Sequence, residues 1–426
     1  MMGALSKPRL SPLGVLAASL FLLRFGSTMT AVGLPLLVLH RYGAGLDSGL
    51  TLALEILPNV LFGAAVGDFI DRSDPRRFAI LGPLLAAPFI ALLIVADSLV
   101  QLQLLALLIG IGYMVGLPAR MALRSSVITK GAESKGNGTL LAAQRLPTLL
   151  GPAVGAILLS VSYSVMFLVD AVSAVLAALL LLALPARPRP TASKAPAEAG
   201  KSKAGGALRR LFAQSIPEVV GAVVADRALA ALAGTAFTYM FAFGMTRLFL
   251  AAYALSGFPH QSGLFGLLTA AMGAGAVVGS MTAARFGKVP QGVLYVVVNV
   301  VESCCWLSTV YLPNQVAAMV AVALAGVCES IGTVVFYTEA QTRLPANFEG
   351  RFFGMLVPVS DAFSVLGTAT AGTVVATGTT SAAWIIAVAM ALPVLLLCPL
   401  FLRRRLWQPT NSGVPVTAPL NEGTVD

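Results

Sequence analysis

Twelve long apolar runs set the first limit on what this chain can fold into. A helix needs about 20 mostly apolar residues to cross the hydrocarbon core of a bilayer. Cutting the sequence at its charged or Pro-, Gly- and Asn-rich breaks predicts helices over roughly 11–39, 48–67, 78–97, 99–119, 138–160, 164–185, 219–248, 262–284, 292–311, 316–341, 352–376 and 382–402. Only 11% of the 426 residues are charged, which is too few to cover a water-soluble domain. The sequence therefore predicts an all-α, multi-pass membrane protein.

The stretch from Gly67 to Arg77 predicts how these helices are oriented. It places six charges in eleven residues between two apolar runs, so we expect a water-facing turn. Arginines in a short loop beside a span are retained on the cytoplasmic side. With twelve spans, both termini are then expected in the cytoplasm, and the protein is expected in the cell (inner or plasma) membrane.

The other basic residues follow the same pattern, which accounts for the net charge of +10 without a nucleic-acid partner. Arg120 is expected just beyond the cytoplasmic end of the fourth helix, and Arg145 is expected to extend its charged head to that same interface. Arg41 and Arg247 are expected toward the opposite side.

A basic segment separates the apolar runs into two groups of six. Residues 186–217 are rich in Pro, Ala, Gly, Lys and Ser, so they cannot bury a core, and we predict a flexible cytoplasmic linker. This linker would divide a six-helix bundle over 1–185 from a second bundle over 218–407. The polar residues 408–426 are predicted to form a disordered cytoplasmic tail.

Two glycine pairs at matching places indicate that the halves are duplicated. Gly63 and Gly67 close the second run, Gly275 and Gly279 close the eighth, and a basic turn follows each pair. Glycines four residues apart let helix backbones approach closely. The same pair in both halves is typical of transporters built from internal repeats.

The charged turn resembles a motif of the major facilitator superfamily. Residues 67–77 read Gly-x-Phe-Ile-Asp-Arg-x-Asp-Pro-Arg-Arg, which is similar to that family's glycine-x-leucine-alanine-aspartate-arginine-x-glycine-arginine-arginine. Asp74 and Pro75 depart from the motif. In the fifth run, Gly151 to Ala156 resembles the glycine–proline motif of the family's antiporter branch.

Further stretches resemble the drug-exporter group of that superfamily, which includes macrolide-efflux and enterobactin-export proteins. They are Leu117–Arg120, Asn137, Gly151–Pro152, Phe167–Ala171 and Glu349–Gly354. The resemblance implies the major facilitator fold, with twelve transmembrane helices in two pseudo-symmetric six-helix halves. One departure concerns proton coupling: residues 109–116 carry no charge, so the buried arginine common on the fourth helix of proton-driven exporters is expected to be missing.

The charged turn is expected to act as a latch between the halves. Arg72, Arg76 and Arg77 can pair with acids and with carbonyl groups at helix C-termini. Asp71 can lie near the positive N-terminus of a neighbouring helix, and the resemblance makes the eleventh span that neighbour. The latch, to which Gly67 belongs, would form when the cytoplasmic side is closed. The alternative is a topology signal that only holds the loop inside.

Gly151, Pro152 and Gly155 are expected to shape the fifth helix. Proline removes a backbone hydrogen bond, and glycine thins one side of the helix. We therefore predict a bend or a close contact between the halves, with an ordinary packing kink as the alternative.

Charged residues inside the apolar runs mark candidate transport residues, because each costs a few kcal/mol unless it is paired or hydrated. Arg24 and Glu55 lie at nearly the same depth on the first two helices and are a candidate ion pair. Glu302, Glu329 and Asp361 fall near the middle of helices nine, ten and eleven, with no basic residue of that half at their level. Such carboxylates can carry protons; Glu329 is preferred, and the ninth helix of Glu302 is expected to be peripheral. The alternative for each is a hydrogen-bonded structural carboxyl.

These features predict a secondary active transporter that exports a small, lipophilic molecule, such as a drug, an antibiotic or a siderophore-like compound, by proton antiport with alternating access. A lysophospholipid flippase or an importer on the same fold is the alternative, and a non-transporting receptor is a remote one. We expect a monomer whose partners are this substrate, protons and membrane lipid. Nucleotide-binding and hydrolase motifs are missing from the sequence, so no enzyme activity, catalytic residue, metal or cofactor is expected.

Overall fold

The computed structural model describes residues 11–71, 73–128, 133–184, 216–257, 263–286, 289–312, 314–344 and 349–403. Within these ranges twelve helices are long and apolar enough to cross a membrane, which confirms the predicted number. They are α1 (Pro12–Tyr42), α2 (Leu46–Asp71), α3 (Pro75–Leu92), α4 (Leu99–Val127), α5 (Glu133–Val161), α6 (Tyr163–Leu181), α7 (Arg227–Gly257), α8 (Leu264–Thr282), α9 (Gln291–Ser308), α10 (Gln315–Arg343), α11 (Glu349–Ala376) and α12 (Thr379–Leu396). Short helices, Ile216–Ala225 and Cys398–Phe401, flank the second group of six.

Local sequence explains where several helices begin and end. Ser11 caps α1 by accepting a hydrogen bond from the backbone N–H of Gly14 at 3.1 Å. Ser98 and Gln101 form a capping box at the start of α4. Gly43 ends α1 with a φ of 72°, a conformation that glycine adopts at little cost. These signals keep the connections between neighbouring helices short.

Some helices extend beyond the apolar runs that predicted them. The fourth was expected to end at residue 119, whereas α4 continues to Val127. An apolar run marks only the part of a helix that crosses lipid, and backbone hydrogen bonding continues into the polar flank. Arg120, expected beyond the end of this helix, consequently lies inside it.

The twelve helices pack as two groups of six. In the first group α1 packs against α5 and α6, while α4 packs against α2 and α3. In the second group α10 packs against α8 and α9, while α7 packs against α11 and α12. The predicted linker lies almost entirely in 185–215, outside the described residues, as does the predicted tail 408–426. The domain boundaries therefore stay predictions.

The two groups touch mainly through α2 with α11 and α5 with α8, and the contact is tightest at one end. A Cβ atom added to Gly372 would lie 1.6 Å from the carbonyl oxygen of Gly45, and one added to Gly49 would lie 2.2 Å from that of Ala369. Only glycine fits at such distances. We call this side, where α1 joins α2, the closed end, and the side of the α2–α3 turn the basic end.

The two predicted glycine pairs pack differently. Gly275 and Gly279 bring α8 against α10, because added Cβ atoms would lie 1.8 Å from Ala323 O and 2.4 Å from Val327 O. A Cβ at Gly67 would meet nothing within 4 Å, and one at Gly63 would meet only a side chain of its own helix. The expectation of matching close contacts is thus wrong for the first pair in this conformation, since the basic end of α2 faces open space.

Candidate functional site

A cavity of about 500 Å³ lies among α1 to α5 and α7. Four arginines line it: Arg24, Arg120, Arg145 and Arg247. Among its described lining residues, Glu55 is the only acid. We call this space the basic cavity.

One of the four arginines joins the two halves. Arg247 on α7 approaches Glu55 on α2, with 3.3 Å between Nη1 and Oε2, and its Nε donates to the carbonyl oxygen of Ala31 at 3.0 Å. The predicted Arg24–Glu55 pair does not form a salt bridge, because Glu55 takes that partner from the other half, although Arg24 lies close enough for the two charges to attract each other. Equal depth on two helices does not determine which way their side chains face.

Arg120 is completely buried in the wall of the basic cavity. Its Nη1 donates to Gly116 O at 3.3 Å, while Nε and Nη2 have no hydrogen-bond partner within the described ranges. This position corrects two expectations, a cytoplasmic Arg120 and a fourth helix without a buried arginine. Space for the guanidinium arises because α3 and α4 meet through Gly82 and Gly116, where a Cβ at Gly82 would lie 2.5 Å from Gly116 Cα. The glycines of α4 were the sequence signal for this space.

Arg24 and Arg145 are exposed within the basic cavity. They lie close enough for their charges to repel each other, and neither has a salt-bridge partner within the described part of the chain. Arg145, expected to reach the membrane interface, instead lines the cavity. Tyr113 also lines it, and its buried hydroxyl has no hydrogen-bond partner among the residues that the structure describes.

A second space, of about 210 Å³, lies in the other half among α7, α9, α10 and α11. Glu302, Glu329 and Asp361, the three acids predicted near mid-helix, all line it. The described residues around it include no Lys, Arg or His. We call this space the acidic pocket. Glu302 lines it with the other two acids, although its helix α9 was expected to be peripheral.

The three carboxyl groups differ in their partners. Glu302 is buried and its Oε1 accepts hydrogen bonds from Tyr239 OH at 3.0 Å and Trp306 Nε1 at 3.3 Å. Glu329 accepts one long bond, 3.4 Å, from Thr333 on the next turn. Asp361 has no hydrogen-bond partner among the described residues. Glu302 thus fits the structural alternative best, and Asp361 fits it least.

The basic cavity and the acidic pocket are electrostatic neighbours. Arg145 on α5 is close enough to Glu329 on α10 for their charges to attract each other. No salt bridge within 4.0 Å joins these two described side chains, so opposite charges face each other across the halves without pairing.

The α2–α3 turn makes its described contacts inside the first half. Arg76 donates from Nε to Leu181 O at 3.1 Å and from Nη2 to Leu182 O at 2.8 Å, as expected for carbonyls at a helix C-terminus. Arg77 lies 3.5 Å from Asp74, whose side chain also caps α3. The side chain of Asp71 and the whole of Arg72 lie outside the described residues. The latch across the halves stays a prediction.

The glycine–proline stretch of α5 touches both halves. A Cβ at Gly151 would lie 1.9 Å from Thr28 Oγ1 on α1, and a Cβ at Gly266 on α8 would lie 2.5 Å from Pro152 O. Gly155 faces α1 at ordinary contact distance. The close contact between the halves expected at this stretch is therefore present, and α5 remains one continuous helix.

Two further groups of charges were not among the predicted site residues. Asp170 on α6 is completely buried and accepts a hydrogen bond from Thr30, while its Oδ1 has no partner. At the basic end, Arg343 bridges Glu339 at 2.9 Å and Asp226 at 3.3 Å. Within the described residues, no cluster of His, Cys, Asp and Glu side chains could hold a metal ion.

Comparison of the sequence with known proteins gives one family and one relative. The sequence model of the Major Facilitator Superfamily matches residues 16–368. A stretch of 147 residues, 32% of this chain, is 28% identical to the multidrug efflux pump Tap of Mycolicibacterium fortuitum. That stretch covers 36% of the pump, so this chain matches only about a third of the relative.

Solved structures with the same arrangement of helices include three transporters. The nucleoside transporter NupG superimposes with a TM-score of 0.69 at 13% identity, over 91% of this chain and 98% of its own. A POT family transporter in complex with a thioalcohol-conjugated peptide gives 0.67 at 15% identity, over 92% and 96%. A bacterial homologue of the lysosomal transporter Spinster, inward-facing and unoccupied, gives 0.67 at 16%, over 94% and 98%. At these identities the likeness shows the shared fold.

Proposed function

This chain belongs to the major facilitator superfamily, and from that premise we propose that it exports a small, largely apolar molecule in exchange for protons. Drugs, antibiotics and siderophore-like compounds are the candidate cargo. The observation that carries the proposal is the acidic pocket, where Glu302, Glu329 and Asp361 share one space without a basic lining residue in the described chain.

Physical chemistry links this pocket to proton transfer. A carboxylate away from water costs free energy in its charged form, and binding a proton removes that cost. Glu329 is the preferred proton site, because it lies near the middle of α10 and accepts a single long hydrogen bond. Protonation outside would release cargo, and loss of the proton inside would reset the site.

Alternating access would use the contacts between the halves. By the positive-inside rule the basic end faces the cytoplasm, with both termini on that side of the cell membrane. The present conformation would then open inward, because α2 and α11 meet at the closed end. Outward opening would separate Gly49 from Ala369 and break the Arg247–Glu55 pair.

Local similarity to an efflux pump supports export over import. The identity to Tap extends over part of both chains, and the nucleoside and peptide transporters share only the fold with this chain. Direction and cargo are therefore parts of the proposal.

The experiment is pH-driven dye transport in proteoliposomes that contain the purified protein. We expect Glu329→Gln and Asp361→Asn to abolish transport that follows an imposed pH gradient. Asp97→Asn, at an exposed carboxyl outside both spaces, is the matched control and should transport normally. Full pH-driven transport by both pocket variants would contradict the proposal. Lipid movement that ignores the gradient would favour the flippase.

A further inference from the structure

We propose that the basic cavity binds the oxyanion of the cargo, a carboxylate or phosphate carried on an otherwise apolar molecule. This inference rests on the proposed function, because it names the class of molecule that such a transporter would take. It starts from the guanidinium groups that line the cavity, which outnumber its one described acid by four to one.

Arg120 carries the argument furthest. Nε and Nη2, its two nitrogens without a partner, form one edge of the guanidinium group, and both are buried. Taking an unpaired cation out of water costs several kcal/mol. A carboxylate or phosphate can accept from both N–H groups at once, which is the bidentate geometry that arginine favours.

Arg24 and Arg145 add two positive charges to the same space. They lie close enough for their charges to repel each other, and an anion bound between them would offset this repulsion. Glu55 can offset only one of the four arginines, and it is paired with Arg247. The lining of the cavity therefore keeps an excess of positive charge.

Two further donors, one neutral and one from a guanidinium group, add to the polar side of the cavity. Tyr113 OH and Arg247 Nη2 are buried without hydrogen-bond partners and belong to lining residues. A buried donor without an acceptor costs about 1–3 kcal/mol, which an oxyanion would recover.

Apolar side chains form a large part of the remaining lining, beside Ser27, Thr28, Gln144 and Thr148, and they indicate what the oxyanion is attached to. They are Leu20, Leu23, Ala31, Pro83, Met121 and Leu141. A cavity of about 500 Å³ is in the size range of small-molecule sites, which are mostly apolar with a few polar groups that fix orientation. An amphipathic acid complements both the basic and the apolar residues of this lining, whereas an inorganic anion complements only the basic ones.

Arg343 shows how this chain treats a buried arginine that has a structural role. Its side chain is only 6% exposed, and it forms salt bridges with Glu339 and Asp226. Arg120 is more deeply buried, and none of the described carboxylates forms a salt bridge with it. The contrast favours a ligand, rather than a neighbouring helix, as the partner of Arg120.

The first test measures equilibrium binding to the purified full-length protein in detergent. Dansylglycine, a fluorescent carboxylate with an apolar ring system, is compared with its methyl ester, which has the same body without the charge. We expect dansylglycine to raise Tm and to bind at least about tenfold more tightly than the ester. Equal affinity for the acid and the ester would overturn the proposal.

One variant and its control test whether an arginine of the basic cavity binds dansylglycine. Arg24→Gln should weaken dansylglycine binding about tenfold or more and leave the ester unaffected. Arg285→Gln, at an exposed arginine outside the cavity, is the matched control and should bind like the unmodified protein. Loss of affinity for acid and ester alike would indicate general damage to the cavity and would count against the proposal.

Arg120→Met gives a readout that a packing role would not produce. Removing an uncompensated charge should raise the Tm of the empty protein, while the further rise caused by dansylglycine should disappear. A variant with lower Tm and unchanged affinity would overturn the role of Arg120 as a ligand-binding residue.

Competition distinguishes two sources of the oxyanion. Displacement of dansylglycine by salicylate indicates a free organic acid, and displacement by lysophosphatidate alone indicates a lipid headgroup. Both outcomes support the proposal, whereas inorganic phosphate that competes equally well would overturn the need for an apolar body.

Binding requires no pH gradient, so the two proposals can fail separately. Selective binding of the acid without pH-driven transport would refute only proton antiport. Antiport of neutral dyes that is insensitive to Arg24→Gln would refute only the oxyanion site.

Discussion

The basic cavity and the acidic pocket lie in opposite halves of one duplicated fold and differ in the sign of their charge. Arg24, Arg120 and Arg145 line the first, and Glu329 and Asp361 line the second. These groups would neutralise each other if the halves packed tightly at their centre. Among the described residues they form no salt bridges with each other, so the fold holds opposite charges close together without pairing them.

The largest expected change in the free energy of unfolding tests whether Glu302, unlike the other acids of its pocket, has a structural role. Glu302→Ala removes the acceptor of Tyr239 and Trp306, and should lower the free energy of unfolding by about 3 kcal/mol, because two buried donors lose their partner. Glu302→Gln keeps an oxygen acceptor and should lower it by less than about 1 kcal/mol. Denaturant titration in detergent, followed by circular dichroism, measures both. Equal losses would contradict the hydrogen-bond assignment.

The next effect concerns the one pair that links the basic cavity to the other half. Glu55→Gln should lower the free energy of unfolding by about 2 kcal/mol, since Arg247 loses its counter-charge in a site where both side chains are largely buried. A double-mutant cycle with Arg247→Gln should give a coupling energy of at least about 1 kcal/mol. Additive effects of the two substitutions would show that the pair does not stabilise the fold.

A smaller effect compares the two glycine pairs. Gly275→Ala should lower the free energy of unfolding by about 1–2 kcal/mol, because its Cβ meets the backbone of α10. Gly67→Ala should leave it unchanged or raise it by up to about 1 kcal/mol, since its Cβ enters open space in a helix.

The Gly67→Ala variant also tests the predicted latch between the halves. If α2 closes on α11 at the basic end during transport, Gly67→Ala should slow pH-driven dye transport while the protein stays stable. Normal transport by a stable Gly67→Ala variant would leave the turn with a topological role only.

The smallest expected effect concerns the acid without a partner. Asp361→Asn should change the free energy of unfolding by less than about 0.5 kcal/mol, because no hydrogen bond is lost. The same titration measures it, with Glu302→Ala as the sensitive reference. A large decrease in the free energy of unfolding would show that Asp361 has a structural role like that of Glu302.

Properties that depend on one stretch of chain were predictable from the sequence. The twelve helices follow from apolar runs of sufficient length. The mid-helix depth of Glu302, Glu329 and Asp361 follows from counting residues from the helix ends at about 1.5 Å per residue, but their sharing of one pocket does not.

Properties that depend on how helices face each other were not predictable. Depth alone made Arg24 the partner of Glu55, whereas the orientation of α7 places Arg247 there. The position predicted for Arg120 was wrong for two reasons. The helix α4 extends beyond its apolar run, and glycines on α3 and α4 create space for a long side chain. Gly63 and Gly67 have the spacing typical of close helix packing. Whether Gly67 makes such a contact depends on the conformation, because the basic end of α2 is open here.

The backbone contact between Gly45, Gly49 and Gly372 has a consequence for how quickly the halves can part. Surfaces made of glycine carry no interlocking side chains, so α2 and α11 can separate there without any rotamer having to turn first. Among the described residues, the charged contact that must also break is that of Arg247 with Glu55 and Ala31. The rate at which the two halves separate at this seam would then depend on how strongly Glu55 and Ala31 hold Arg247.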